Sequence, residues 1–286
     1  MLRKRLPEWF KIKMPSAKLM APTKSSLERW RLHTVCEEAK CPNSGECWSK
    51  GTATVLIMGD YCTRGCRFCA VKKGRPSPLD PDEPNRVARA AMEMGLRYVV
   101  ITSVTRDDLP DGGAGHFAAT IQAIRRQLPE SRIEVLIPDF QGSTEALTAV
   151  VEARPDVLGH NLETVPSLYR RVRPQADYQR SLGVLAKAKE IDPGIVTKSG
   201  IMLGLGEGEG EVRQVLADLI GVGCDICTLG QYLSPSDAHL PVEEFIHPDM
   251  FQHFARLGEE MGMPRMVAGP LVRSSYLAEE AFFGRV

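Results

Sequence analysis

Six of the eight cysteines fall between residues 36 and 69, and that clustering is the first chemical signal in the chain. The segment CTRGCRFC places Cys62, Cys66 and Cys69 in a C-x3-C-x2-C triplet. Three thiolates on one tight loop can wrap three corners of a cubane iron–sulfur cluster. Four ligands close such a cluster; three leave one iron open to a substrate or cofactor. Gly65 allows the backbone to turn around the sulfides. Zinc on three cysteines, or three unrelated thiols, is the competing reading. A second trio, Cys36, Cys41 and Cys47 in CEEAKCPNSGEC, has C-x4-C-x5-C spacing and again no local fourth cysteine. Zinc would suit it taken alone; beside the first triplet, a second cluster is the better reading. Cys224 and Cys227 form a C-x2-C pair flanking a strand, where residues three apart point to opposite faces. They are expected to be packing residues.

The elements that must position these groups follow a repeating pattern. Short apolar, β-branched runs at Thr52–Met58, Tyr98–Thr102, Ile133–Ile137, Val157–Gly159, Gly200–Leu203 and Asp225–Leu229 predict strands. Helical spacing at Glu83–Met94, 114–128, Thr144–Ala153, Tyr178–Lys189, Glu209–Ile220 and Met250–Met261 separates and follows them. About six strand–helix units imply a parallel sheet with right-handed crossovers. Six units fall short of a closed eight-fold barrel, so the expected fold is α/β, a partial (β/α)6 TIM-type barrel. A doubly wound open sheet is the alternative. Residues 1–50 read as an irregular extension carrying the first trio, 51–265 as the barrel core, and 266–286 as a short tail closing the site. Active-site residues of such barrels follow the C-terminal ends of strands. There the sequence places Asp60 with the Cys62 triplet, Ser103–Asp108, Pro138 with Asp139, His160 with Asn161 and Glu163, Gly204–Glu207, and Gly230–Tyr232.

Composition narrows the function classes. Lysine plus arginine total 36, aspartate plus glutamate total 36, and the formal charge is zero. That gives no global footprint for nucleic acid or an anionic membrane. The 43% apolar content is that of a soluble globular protein. No apolar run of about 18 residues is present, so no membrane span is expected. The N-terminus, MLRKRLPEWFKIKMPSAK, is basic but lacks an apolar core and a cleavage site, which argues against a secretory signal. A cytoplasmic location is expected, where clustered cysteines bind metal or do redox chemistry rather than form disulfides.

CTRGCRFC resembles the cluster motif of the radical S-adenosylmethionine enzymes, whose fold is a full or partial βα barrel. CEEAKCPNSGECW, RYVVITSVTRDDLPDGGAGHF, HNLETVPSLYRRVRP, TKSGIMLGLGE, TLGQYLSPS and GPLVRSSY are similar to the lipoyl synthase family within it, from about residue 30 to 278. The resemblance implies two 4Fe-4S clusters and S-adenosyl-L-methionine as cofactors. It implies insertion of two sulfur atoms at C6 and C8 of an octanoyl group amide-linked to a lysine of a lipoyl carrier domain. Each deoxyadenosyl radical abstracts one hydrogen, and the cluster on Cys36, Cys41 and Cys47 is the sacrificial sulfur donor. Its fourth ligand is a serine of RSSY, Ser274 or Ser275, with Ser275 preferred. An alkoxide is a poorer iron ligand than thiolate and suits a site whose iron must be released.

Other roles carry over by position. Phe68 and Met202 would lie beside the adenine, with Gly204 allowing close backbone approach. Ser103 and Asp108 would meet the cofactor's amino group, Asn161 and Glu163 its ribose hydroxyls, and Lys198 its carboxylate. Arg273 is expected near the cluster or the carrier, and His160 as a hydrogen-bonded rim residue. RRVRP at 170–174 and the basic N-terminus could dock an acidic carrier. Leu277 departs from the pattern, where a polar or basic residue is common. The implied partners are octanoylated carriers (2-oxoacid dehydrogenase E2 or glycine cleavage H protein), a reductant such as flavodoxin or ferredoxin, and an iron–sulfur carrier that rebuilds the donor cluster. Neither nucleic acid nor membrane is implied, and the chain is expected to be a monomer. Another radical enzyme, or a zinc-stabilised binding module, are the readings that the two trios together with RSSY oppose.

Overall fold

Alternating apolar, β-branched segments build one curved sheet in the computed structural model, which describes residues 5–11 and 15–284. The strands are β1 His33–Thr34, β2 Thr54–Ile57, β3 Tyr61–Cys62, β4 Lys72–Lys73, β5 Tyr98–Ser103, β6 Arg132–Leu136, β7 Val157–Gly159, β8 Val196–Leu203, β9 Ile226–Gln231 and β10 Arg265–Gly269. Eight of them form a sheet in the order β1-β2-β5-β6-β7-β8-β9-β10, and β3 and β4 form a separate parallel pair. Every pairing from β2 to β10 is parallel, and only β1 runs antiparallel, with His33 opposite Leu56. Helices Glu83–Glu93, Ala114–Gln127, Thr144–Glu152, Tyr178–Ile191, Glu209–Gly221 and Pro248–Glu260 connect successive strands. Three of their starts are marked by side chains that accept orphan backbone N–H groups, at Ser143, Asp177 and His247. The apolar core lies between these helices and the sheet, where Ile57, Ile101, Phe117, Ile133, Leu158 and Leu229 are sealed from solvent. The partial barrel of six strand–helix units is present, and its two edge strands do not pair with each other.

Three features differ from the sequence reading. The extension is helical rather than irregular, with helices Ala17–Arg29, Val35–Glu38 and Ser44–Ser49. Its longest helix buries Thr23 and Ser26 beside Leu27. Hydroxyls on the buried stripe conceal the helical period, and Thr23 donates to the Trp48 carbonyl at 2.8 Å. The sheet also continues beyond residue 265, because Arg265–Gly269 pairs with Ile226–Gly230. Finally, β8 starts at Val196, four residues before the predicted Gly200. Its first half is polar, yet Thr197, Lys198 and Ser199 are buried and hydrogen-bonded.

The open side of the barrel is covered from both ends of the chain. Helix Ala278–Phe283 packs Ala278 and Phe282 on Tyr98 and Val100. Asn43 donates to the Leu271 carbonyl at 2.6 Å, and the Tyr276 hydroxyl donates to Glu46 at 3.2 Å. These bonds bring the extension and the tail together over the opening.

Candidate active site

Loops after successive strands converge on a cavity of about 470 Å³. Cys62, Cys66 and Cys69 line it, together with Phe68, Ser103, Asn161, Glu163, Met202 and Ser275. A second cavity of about 220 Å³ contains Cys36, Cys41 and Cys47. Val35, Cys41, Thr54, Arg273 and Ser275 line both, so the two trios open onto joined spaces.

Burial makes the Cys36, Cys47, Cys66 and Cys69 thiols costly to ionise alone. Burial pushes Cys69 up to about 12, with the neighbouring Cys66 and Cys62 adding to the effect. Cys47 also rises to about 12, through burial and then the charges of Cys36 and Cys41. A cationic centre would reverse both effects, since a coordinating thiol loses its proton outright. Backbone N–H groups of Arg64 and Thr105 both donate to Cys62 Sγ at 3.4 Å, a pattern that favours a cluster-bound thiolate. The donor set therefore fits an iron–sulfur cluster at each trio.

Several buried polar atoms around the larger cavity lack partners: Ser103 Oγ, His160 Nε2, Asn161 Oδ1 and Arg173 Nε. Such atoms are costly unless a ligand meets them, and a zwitterionic, ribose-bearing cofactor would. Glu163 sits at φ +67°, a conformation disfavoured for its type. Its backbone bridges Gly200 and Met202, which fixes the β7 loop against β8. Burial raises the Glu163 carboxyl, against the pull of Arg173 and Arg273. Asn161 Nδ2 donates to Glu163 at 3.1 Å and to Ser274 Oγ at 2.5 Å. Ser274 is thus engaged, and Ser275 supplies the hydroxyl on the wall shared by both cavities.

Three expected contacts are not brought to this site. Lys198 points into the barrel interior but pairs with Glu134 at 2.9 Å, and Tyr98 also donates to Glu134 at 2.6 Å. Lys198 is 2% exposed and lines neither cavity. Lys198→Met is expected to cost about 3–5 kcal/mol by stranding Glu134. Adding Glu134→Gln, which still accepts from Tyr98, should recover most of that loss in denaturant unfolding. Asp108 also lies away from the cavities and forms a two-bond pair with Arg106. Gly204, at φ +93°, turns the chain after β8. A side chain there would collide with Gln231 and the Glu244 carbonyl, so its requirement is internal packing.

Residues that sequence reasoning missed also shape the site. Arg173, read as a docking residue, is buried and donates to the Asn161 and Leu162 carbonyls at 2.8 and 3.0 Å. Arg64 holds Asp107 at 2.7 Å and Asp139 at 2.6 Å, anchoring the triplet loop. Burial raises the Asp139 carboxyl, but the hydrogen bond and charge of Arg64 outweigh it and hold it at about 2. The signal for Arg64 was an arginine inside the triplet with two acids on neighbouring rims. Of the other docking candidates, Arg170 is exposed, Arg171 pairs with Glu243, and the basic N-terminus lies partly outside the described residues. Cys224 and Cys227 are buried, and burial drives both thiols upward, in keeping with packing residues.

His160 occupies the rim as expected, with Nδ1 on the Ile137 carbonyl at 2.9 Å. Burial, then the Arg173 charge, lowers its pKa from 6.5 to about 4. A depressed histidine pKa means that the unfolded chain takes up the proton first. Stability should therefore fall as pH drops from 6.5 toward 4, by on the order of 3 kcal/mol. His160→Gln should flatten that limb of an acid-unfolding curve.

The profile of the Radical SAM superfamily matches residues 56–219, and that of the N-terminal domain of lipoyl synthase matches residues 1–41. Among curated relatives, the lipoyl synthase of Caldanaerobacter subterraneus subsp. tengcongensis is 56% identical over 275 residues, covering 96% of each chain. That of Caldicellulosiruptor bescii is 57% identical, covering 96% of this chain and 94% of its own. Among solved structures, methylornithine synthase superposes with TM-score 0.55 at 15% identity, over 91% of this chain and 81% of that one. The FeFe-hydrogenase maturase HydG from Carboxydothermus hydrogenoformans gives 0.58 at 17%, over 81% and 66%. These two likenesses concern the fold alone.

Proposed function

Since the chain belongs to the lipoyl synthase family of the Radical SAM superfamily, we propose that its two cysteine trios divide that family's reaction between two joined cavities. Membership carries the activity, insertion of two sulfur atoms at C6 and C8 of a protein-bound octanoyl-lysine, and the need for two 4Fe-4S clusters and S-adenosyl-L-methionine. When bound, these cofactors supply the deoxyadenosyl radical and the sulfur, chemistry that acids and bases cannot perform on unactivated C–H bonds.

The chain's own residues bind, orient and exclude water. Cys62, Cys66 and Cys69 would hold the radical-generating cluster at the larger cavity. Ser103, Asn161 and Glu163 offer polar atoms to S-adenosylmethionine, while Phe68 and Met202 supply apolar walls. Cys36, Cys41, Cys47 and Ser275, which line the smaller cavity, would hold the donor cluster. The tail helix and Trp48 shield it from solvent, a sequestration that limits side reactions of a reactive carbon centre. The observation that carries this reading is the shared wall, since Cys41 and Ser275 face both spaces. A chain held in the larger cavity then lies next to the sulfur source.

Octanoylated lipoyl carriers, E2 or H protein, are the proposed substrates, a flavodoxin or ferredoxin the reductant, and an iron–sulfur carrier the source of a rebuilt donor cluster. The enzyme is proposed to act as a cytoplasmic monomer. No helix among the described residues is long and apolar enough to cross a membrane. Anaerobic incubation with S-adenosylmethionine, dithionite and an octanoylated carrier peptide tests the activity. Mass spectrometry should show addition of two sulfurs, and an unchanged octanoyl group with both clusters intact would refute it. Ser275→Cys should retain about eight irons per chain but lower sulfur insertion at least about tenfold, because thiolate releases iron less readily. Unchanged turnover would remove Ser275 from the ligand set.

A further inference from the structure

The loop Tyr61–Arg75 has two faces of different character. Cys62, Arg64, Cys66, Phe68, Cys69 and Val71 face inward and line the larger cavity. Tyr61, Arg67, Lys72, Lys73, Gly74 and Arg75 are exposed, and none of them lines it. This loop carries five cations and no anion, in a chain whose formal charge is zero. Arg64 is committed inward to Asp107 and Asp139, and Lys72 to Asp60 at 2.5 Å with Glu38 at 4.0 Å. Arg67, Lys73 and Arg75 form no ion pair among the described residues. The nearby acids are already matched: Asp107 by Arg64, and Asp108 by Arg106 with a longer-range pull from Arg75. Tyr61 adds an exposed ring beneath the Lys72 ammonium, 5.6 Å from its centroid.

We propose that Arg67, Lys73 and Arg75, with Tyr61, form the docking face for an acidic one-electron carrier protein of the flavodoxin or ferredoxin class. The inference rests on the assignment of Cys62, Cys66 and Cys69 as the radical-generating trio. Electron tunnelling decays steeply with distance, so a donor must seat its redox centre over the surface nearest the acceptor. Here Lys73 is the strand partner of Cys62, Gly74 N–H donates to the Cys62 carbonyl, and Arg67 lies between Cys66 and Cys69 in sequence. The carrier is oxidised by one electron and the cluster reduced by one, with no bond changed at the face. An octanoyl-lysine arm, by contrast, must enter the cavity, whose lining includes Lys40, Ser234 and Pro235. The exposed residues of the loop line neither cavity. Uncompensated surface cations steer an acidic partner and make its affinity salt-sensitive.

The test uses the full chain carrying Lys73→Glu with Arg75→Glu, titrated with a flavodoxin and, separately, with an octanoylated carrier domain. Flavodoxin affinity, read by FMN fluorescence, should fall at least about tenfold and lose most of its salt dependence. S-adenosylmethionine cleavage driven by flavodoxin should fall in step, while dithionite-driven cleavage and the KM for the carrier domain stay at wild-type values. The neutral pair Lys73→Gln with Arg75→Gln should show the same pattern more weakly. Unchanged flavodoxin affinity would overturn the proposal. So would a raised KM for the carrier domain under dithionite, which would give the face to the substrate protein. Absence of sulfur insertion by the wild type under dithionite would instead count against the function itself.

Discussion

Cys66→Ala is expected to abolish S-adenosylmethionine cleavage, with at least about a thousandfold loss, and to lower bound iron from about eight atoms per chain to about four. The site makes this a clean deletion. Cys66 lines the larger cavity but belongs to none of the apolar clusters, whereas Cys62 and Cys69 pack against the core. Losing its sulfur therefore removes a cluster ligand at little cost in packing. The control is Cys227→Ala, which removes a fully buried thiol that lines neither cavity. That variant should keep its iron and its cleavage activity, while losing about 1–2 kcal/mol of stability to a small cavity. Iron analysis, product chromatography and an unfolding curve separate the two outcomes. Cleavage surviving in Cys66→Ala would show that the triplet does not generate the radical.

The second large effect is an uncoupling. Cys41→Ala should leave reductive cleavage of S-adenosylmethionine within about threefold of wild type, yet reduce sulfur insertion below detection. Deoxyadenosine then accumulates without product. Cys41 suits this test better than its partners. Cys36 is buried in the same core cluster as Trp48, so its loss would also disturb packing. Cys41 is partly exposed on the wall between the two cavities. Simultaneous loss of cleavage and insertion, with four irons retained, would contradict a division of labour between the trios.

What was legible in the sequence had a local cause. The strand–helix units showed because Tyr98–Ser103 and Ile226–Gln231 are nearly continuous β-branched or apolar runs with all but one residue buried. The trios showed because each set of ligands is close in sequence, Cys62, Cys66 and Cys69 on one loop and Cys36, Cys41 and Cys47 on two short helices and the turn between them. The misses have the opposite character. Asp108 follows the C-terminal end of β5, while Lys198 is the third residue of β8, and their ion-pair partners, Arg106 and Glu134, decide where they point. Glu134 is 64 residues from Lys198 and gives no local sign of the pairing. Arg173 reads as one of three exposed arginines in RRVRP until the chain turns it onto the Asn161 and Leu162 carbonyls. The helix Ala17–Arg29 buries hydroxyls, and hydropathy patterning is blind to those.

Position Leu277 shows how one local departure is absorbed. It adopts φ +52° just before the helix Ala278–Phe283, a turn that is strained for leucine. The turn carries Ser275 and Tyr276 into the cavity that Cys36, Cys41 and Cys47 line and then buries Ala278 on Tyr98 and Val100. A polar side chain is not needed for that path, which leaves the serine's placement independent of its neighbour.

The most direct test of the central claim is a single turnover of enzyme reconstituted with heavy sulfide, freed of excess sulfide and given an octanoylated carrier peptide. If Cys36, Cys41 and Cys47 hold the sulfur source, both inserted atoms should be heavy, and the product should not exceed one equivalent per chain. Light sulfur in the product, or an undiminished second turnover without added sulfide, would contradict the account.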